Sequence, residues 1–267
     1  MDYFIPSTLI EAQKLRNTRN KKYIYLAGGT IINWRHKPAA DGLIDLNYLG
    51  IDKIHVSKST ISIGATATIQ QIADDPDIPG PLRYSAISFT SPNVRNMATI
   101  GGTIAGNFFI SNLLPTLLAY KSTVSYFNEG KHNKISLQKW LSKQTGLLCS
   151  VNIADPQRTV MTRQEKISSI DFPLIVTSLG FKIKNKKIAD PVLAISGACA
   201  KIQTIGEISS YLSATKPFLR TDKEFDRMIS TSVKVTRNPK AGVTVKRNII
   251  KDHIISIAED LTRKYSK

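Results

Sequence analysis

Two stretches of this sequence are built largely from residues with little side chain: Ala27-Gly28-Gly29-Thr30, and Ala98-Thr99-Ile100-Gly101-Gly102-Thr103-Ile104-Ala105-Gly106 within residues 92–107. Glycine has no Cβ and reaches φ > 0, so consecutive amides in such a bend can turn inward as a concave set of donors, which suits phosphate. The residues that follow, Ser111-Asn112-Leu113-Leu114-Pro115-Thr116-Leu117-Leu118-Ala119-Tyr120, read as a polar cap and an apolar helix. That helix would pack the second bend onto a core and aim positive dipole at the same anion. A single glycine pair ahead of a helix is also how an ordinary turn is written. Two amide-rich bends meeting across a cleft could surround a diphosphate with no lysine at either one. Neither bend has the GxGxxG or the GxxxxGK[ST] pattern, so a different nucleotide-binding fold is implied.

Other chemistry is sparsely provided. Two cysteines, Cys149 and Cys199, cannot make a four-thiolate site and lack CxxC spacing. The four histidines, His36, His55, His132 and His253, form no HExxH or HxH pattern. No Ser-His-Asp, Cys-His or carboxylate pair stands out, so no catalytic residue and no metal ligand is assigned. Any iron–sulfur chemistry must sit on another polypeptide.

The elements that must position the bends can be outlined from punctuation and periodicity. Residues 7–17 read as a short helix capped by Ser7, and Lys22-Tyr23-Ile24-Tyr25-Leu26 as a strand running into the first bend. Ile31-Ile32-Asn33-Trp34 begins a helix or another turn. A strand at Gly42-Leu43-Ile44-Asp45-Leu46 and a hairpin pairing His55-Val56 with residues 60–64 follow, then a short helix over residues 68–73 ended by Asp75-Pro76. Residues 157–164 read as a polar connector, residues 175–183 as a strand, and residues 246–265 as a terminal helix.

The 267 residues carry 37 Lys and Arg against 20 Asp and Glu, a formal charge of +17, with 42% hydrophobic residues. This is a folded, basic chain of one large or two small domains, with ample apolar material for a core. It has no apolar run of about 18 residues, and its start has neither a basic n-region nor an apolar h-region, so a cytoplasmic protein with no membrane span is expected. The basic residues are spread along the chain, with local runs at Lys182-Ile183-Lys184-Asn185-Lys186-Lys187 and over residues 234–251. There is no basic helix with interleaved aromatics, which argues against a nucleic-acid partner.

Tyr25-Leu26-Ala27-Gly28-Gly29-Thr30, then Val94-Arg95-Asn96-Met97-Ala98-Thr99-Ile100-Gly101-Gly102-Thr103-Ile104-Ala105, then Leu113-Leu114-Pro115-Thr116-Leu117-Leu118-Ala119 resemble, in order and spacing, the FAD-binding subunits of molybdenum hydroxylases, the xanthine dehydrogenase and carbon monoxide dehydrogenase flavoprotein family. Weaker similarity runs through Thr162-Arg163 and Lys166-Ile167-Ser168 to residues 241–247.

The resemblance implies an α+β protein: a two-subdomain FAD-binding domain of the vanillyl-alcohol-oxidase (PCMH) type over residues 1–160, then a small α/β C-terminal domain over residues 161–267. It implies FAD wrapped on one side by Leu26, Ala27, Gly28, Gly29, Thr30, Ile31 and Ile32, and on the other by Thr99, Ile100, Gly101, Gly102 and Thr103. Backbone amides would be the principal donors, with added hydroxyls from Thr30, Thr99 and Thr103. Asn112 stands where the family usually has Asp, at a contact to the sugar or ribityl hydroxyls. Phe89 occupies an aromatic position that approaches the flavin or fills the core, and Lys166 lies beside the cofactor or in solvent. Arg35 and His36 bind an anionic acceptor or form a surface pair.

The function implied is electron output. Electrons leave a molybdenum cofactor on a large partner subunit, cross iron–sulfur clusters on a small partner subunit, and reach NAD or another acceptor through the FAD of this chain. A stand-alone flavin-dependent reductase and a basic nucleic-acid-binding protein are the alternatives. Substituting Gly101→Val should place a side chain where the diphosphate approaches.

Overall fold

The computed structural model describes residues 1–34, 39–184, 187–214 and 222–265. Along the chain run β1 (Asp2–Phe4), α1 (Leu9–Arg16), β2 (Tyr23–Leu26), α2 (Thr30–Trp34), β3 (Gly42–Asp45), β4 (Ile54–Val56), β5 (Ile61–Gly64) and α3 (Ile69–Asp74). Next come α4 (Gly80–Ile87), α5 (Pro92–Met97), α6 (Ile100–Gly106), α7 (Leu114–Ala119), β6 (Thr123–Asn128), β7 (Lys131–Ser136), α8 (Leu137–Lys143) and β8 (Leu147–Ile153). The rest is β9 (Thr159–Glu165), β10 (Ile175–Lys184), β11 (Lys187–Ser196), β12 (Gln203–Thr204), α9 (Gly206–Ala214), α10 (Lys223–Ser232) and α11 (Val243–Tyr265). The fold is α+β, and the chain forms two compact units that interleave in sequence.

The first unit comprises residues 1–79, 91–107 and 122–156. It holds a three-stranded parallel sheet in the order β1-β3-β2 and a five-stranded antiparallel sheet in the order β4-β5-β8-β6-β7. A core of Ala12 from α1, Tyr23 and Ile44 from the parallel sheet, and Phe127, Leu147 and Cys149 from the antiparallel sheet joins them. The expected strands at β2 and β3 and the β4–β5 hairpin are present. So is the α3 helix, where Thr68 and Gln71 form a reciprocal capping box. The first helix is capped by Thr8 rather than Ser7: the Thr8 hydroxyl accepts from the Glu11 amide at 3.1 Å, while the Ser7 amide and hydroxyl both donate to the Glu11 carboxylate.

The second unit comprises residues 80–90, 108–121 and 157–267. Its antiparallel sheet has the order β12-β11-β10-β9. Residues 159–165, expected as part of a connector, form β9, because Val160 and Thr162 alternate inward and pair with β10. Residues 175–181 of β10 are buried on both faces. Ser178 and Gly180 meet α7, through Thr116 at 3.2 Å and Ala119, whereas Thr177 and Leu179 face α11 and the main apolar cluster. A β-bulge interrupts the β10–β11 ladder between Gly180 and Lys182. Among the described residues, no helix is long and apolar enough to cross a membrane.

Candidate functional site

The first bend sits at the carboxyl end of β2, whose parallel pairing with β3 is extended by the Leu46 amide donating to the Leu26 carbonyl at 2.8 Å. Gly29 adopts φ +67°, a backbone that a side chain would strain, and Thr30 opens α2 with Ile31 and Ile32 half-buried behind it. Among the described residues, the amides of Gly28, Gly29 and Thr30 have no hydrogen-bond partner. Three adjacent donors are therefore left for something else. Burial pushes the Tyr25 phenol just before the bend up to about 12, so it adds no charge.

The second bend lies directly against the first. A Cβ on Gly28 would fall 1.7 Å from the Met97 carbonyl oxygen and 3.2 Å from the Ala98 Cα, so only glycine lets the two backbones meet there. The structure thus brings the two bends together.

The second bend is not an open loop, however. Residues from Ile100 onward form α6, with Thr99 as its N-cap accepting from the Gly102 amide at 3.1 Å. The Ile100 amide donates to Ala67 O at 3.0 Å, Gly101 to Ala65 O at 2.8 Å, and Thr103 to Thr99 O at 3.0 Å. The Thr103 hydroxyl donates to the same Thr99 carbonyl at 3.1 Å. Every amide from 100 to 103 is spent inside the unit, which corrects the picture of these amides as free phosphate donors. Gly101 is glycine for packing, since a Cβ there would stand 2.5 Å from Ala65 O. Gly101→Val would strike Ala65 whether or not a ligand is bound. The unspent donors come from the first bend, and the second supplies a rigid wall for it.

Phe89 and Asn112 belong to the second unit. Phe89 is half-buried, its amide closing the end of α4 on Ala86 O at 3.0 Å. Asn112 is 1% exposed. Its Nδ2 donates to Ser88 O at 3.1 Å and to Gln164 Oε1 at 2.9 Å, while its Oδ1 is buried with no partner. Lys166 is half-buried and donates to Ser88 O and, at 3.1 Å, to Ser169 O. A buried acceptor left unsatisfied costs about 1–3 kcal/mol, so Asn112 Oδ1 is suited to accept from a hydroxyl or N–H. Ser88 and Gln164 were not anticipated from sequence, because Gln164 joins Asn112 only once β9 is in register with β10. Arg35 and His36 lie outside the described residues.

Within the first unit the free amides of Gly28, Gly29 and Thr30 suit an anion such as a diphosphate, and within the second the Asn112 Oδ1 suits a hydroxyl or N–H donor. The bends themselves contain no acid to repel the diphosphate.

Comparison with known proteins agrees with this chemistry. Residues 1–174 match the family described as the FAD binding domain in molybdopterin dehydrogenase. The uncharacterized protein YgfM of Escherichia coli K12 is 28% identical over 179 residues, 66% of this chain and 68% of that protein. The nicotinate dehydrogenase FAD-subunit of Eubacterium barkeri is 33% identical over 134 residues, 46% of this chain and 44% of its own. Among solved structures, quinoline 2-oxidoreductase from Pseudomonas putida 86 superposes with a TM-score of 0.85 at 14% identity, over 100% of this chain and 98% of that one. Carbon monoxide dehydrogenase from Hydrogenophaga pseudoflava gives 0.84 at 16% identity, over 96% and 95%. At these identities the structures speak to the fold, and the family match, covering well over half the chain, speaks to descent. The chain belongs to the family of FAD-binding domains of molybdopterin dehydrogenases.

Proposed function

We propose that this chain is the FAD-binding electron-transfer subunit of a xanthine-dehydrogenase-like molybdenum hydroxylase. It takes electrons from iron–sulfur clusters on a partner chain and passes them through FAD to NAD or another acceptor in the cytoplasm. Substrate oxidation belongs to a molybdenum cofactor on a second partner. In this reading residues 1–160 form the FAD-binding domain and residues 161–267 the C-terminal domain. The observation that carries it is the trio of unspent amides at Gly28, Gly29 and Thr30, held against the second bend in a chain of this family.

Bound FAD supplies the redox chemistry, accepting single electrons and releasing a pair as hydride. The protein holds and orients it. Leu26 and Ala27 lead the chain into the bend, Gly28 to Thr30 donate to the diphosphate, and Ile31 and Ile32 back them with apolar surface. Thr99 to Thr103 would form the wall beside those amides; Asn112 Oδ1, in the second unit, would be the residue there to accept from a cofactor hydroxyl.

Incubating the purified chain with excess FAD, followed by gel filtration, tests the reading directly. A yellow protein with oxidised-flavin absorption and about one FAD per chain is expected. A folded chain that takes up none would overturn the cofactor assignment. Co-purification with molybdenum- and iron-containing chains tests the subunit role, and isolated NADPH turnover without partners would replace it with a stand-alone reductase.

A further inference from the structure

The parallel ladder of β2 and β3 ends at the pair Leu26 and Asp45. Past that pair the first bend is still held from the end of β3. The Leu46 amide takes the Leu26 carbonyl at 2.8 Å, and Asn47 Nδ2 donates to the next carbonyl, Ala27 O, at 3.5 Å, near the limit for such a bond. In a trans peptide the carbonyl and the N–H point in opposite directions. Drawing Ala27 O toward β3 therefore turns the Gly28 amide away from it, and that amide is the first of the three unspent donors.

Asn47 is exposed, so packing does not hold its pose. Asp45 does. Its Oδ1 accepts from the Asn47 amide at 2.9 Å, closing an Asx-turn, and from Asn47 Nδ2 at 2.8 Å. Its Oδ2 accepts from the Tyr3 hydroxyl. Tyr3 stands opposite Leu43 in the β1–β3 register, two residues before Asp45, so the two side chains share a face of the sheet. Asp45 is 5% exposed, and none of the ion pairs among the described residues includes it. A carboxylate buried without a paired cation is costly unless its oxygens are hydrogen-bonded, and an apolar side chain would fill the same place at lower cost. What the acid contributes is three accepted bonds, two of them to Asn47.

We propose that Asp45 and Asn47 are positioning residues of the first bend: Asp45 fixes Asn47, and Asn47 fixes the Ala27–Gly28 peptide so that the Gly28 amide is presented to the FAD diphosphate. The inference rests on the reading of that amide as a diphosphate donor. A donor already oriented in the free chain spares the ordering cost on binding, so the two residues act on affinity without touching the cofactor.

The test uses the full chain with Asn47→Ala, Asp45→Ala and Asp45→Asn, beside Asn133→Ala on β7 as a control. FAD affinity is read by fluorescence titration, stability of the FAD-free chain by urea unfolding, and the surroundings of the diphosphate by phosphorus NMR of bound FAD. Asn47→Ala should weaken the Kd about fivefold, and the control should change it by less than about twofold. Because position 47 is exposed, the urea midpoint should stay where it is. The phosphorus resonances should move while the visible flavin spectrum keeps its shape. Asp45→Ala should weaken binding at least as much, and Asp45→Asn, whose amide oxygen can still accept from Asn47, should recover most of that loss. Asn47→Ala keeps the test decisive where Asp45→Ala does not fold. Unmoved phosphorus resonances, a loss of affinity that only follows a loss of stability, or an Asp45→Asn chain no better than Asp45→Ala would overturn the proposal. If the unaltered chain takes up no FAD, the cofactor reading and this inference fall together; if it does and Asn47→Ala binds FAD equally well, only the inference falls.

Discussion

Asn112 is asparagine for a reason that its neighbours make plain. Its Nδ2 donates to two oxygens, Ser88 O and Gln164 Oε1, and a carboxylate there would set oxygen against oxygen in a site 1% exposed. Asn112→Asp should therefore lower the stability of the FAD-free chain at pH 8 by about 1–3 kcal/mol. The loss should shrink toward pH 5, where the buried carboxyl takes up a proton, and urea titrations at the two pH values read the difference. Gly28 answers to a different constraint, the backbone of Met97. Gly28→Ala would force the two bends apart, and a Kd for FAD at least about tenfold weaker is the expected outcome by fluorescence titration. An unchanged Kd would mean that the meeting of the bends does not matter to the cofactor. The glycines of both bends were legible in the sequence, but their different uses were not. A sequence does not show which amides have partners: those of Ile100 and Gly101 go to carbonyls more than thirty residues earlier, and those of Gly102 and Thr103 to the Thr99 hydroxyl and carbonyl.

At the scale of elements, the second unit is stitched by a side chain that carries no motif. Arg158, its side chain 1% exposed, donates to Ala119 O at 2.8 Å and Gly180 O at 3.0 Å, and to both the carbonyl and carboxylate of Asp190. It ties the end of α7 to β10 and to the bulge in β11, where Asp190 takes φ +53°. Burial raises the Asp190 pKa, but hydrogen bonds from Lys121 and Arg158 outweigh this and hold it below its ordinary value. Arg158→Met would leave buried carbonyls bare, and about 3 kcal/mol of stability should go with it, read as a drop in the urea midpoint. Strands with alternating patterns and helices with clear caps were visible beforehand. β9 was not, because its polar residues Thr159, Arg163 and Gln164 mask an edge strand until β10 supplies the ladder.

For the molecule as a whole, acid sensitivity has an identifiable source. Burial, with a contribution from the nearby Arg163 charge opposed by Asp252, pushes His253 down to about 4, and its Nδ1 lies 3.3 Å from the Thr177 hydroxyl. An unfolded histidine titrates near 6.5, so between pH 6.5 and 4 the unfolded chain binds the extra proton. The stability owed to a neutral His253 is whole above pH 6.5 and falls away as pH drops toward 4, by up to about 3 kcal/mol. His253→Gln should flatten that part of the stability profile between pH 7.5 and 4.5, measured by urea unfolding. A profile of unchanged slope would place the acid sensitivity elsewhere.

What the sequence by itself determined was local or additive: net charge, the small-residue bends with their spacing, the strand leading into the first bend, and the capped helices. Each depends on residues within a few positions of one another or on composition alone. Tertiary structure decided what depends on partners distant in the chain. It set Gly28 against Met97, spent the Ile100 and Gly101 amides on Ala67 and Ala65, and left Asn112 Oδ1 bare beside Ser88 and Gln164. Whether a polar group is satisfied is a property of its surroundings, and those exist only once the chain has folded.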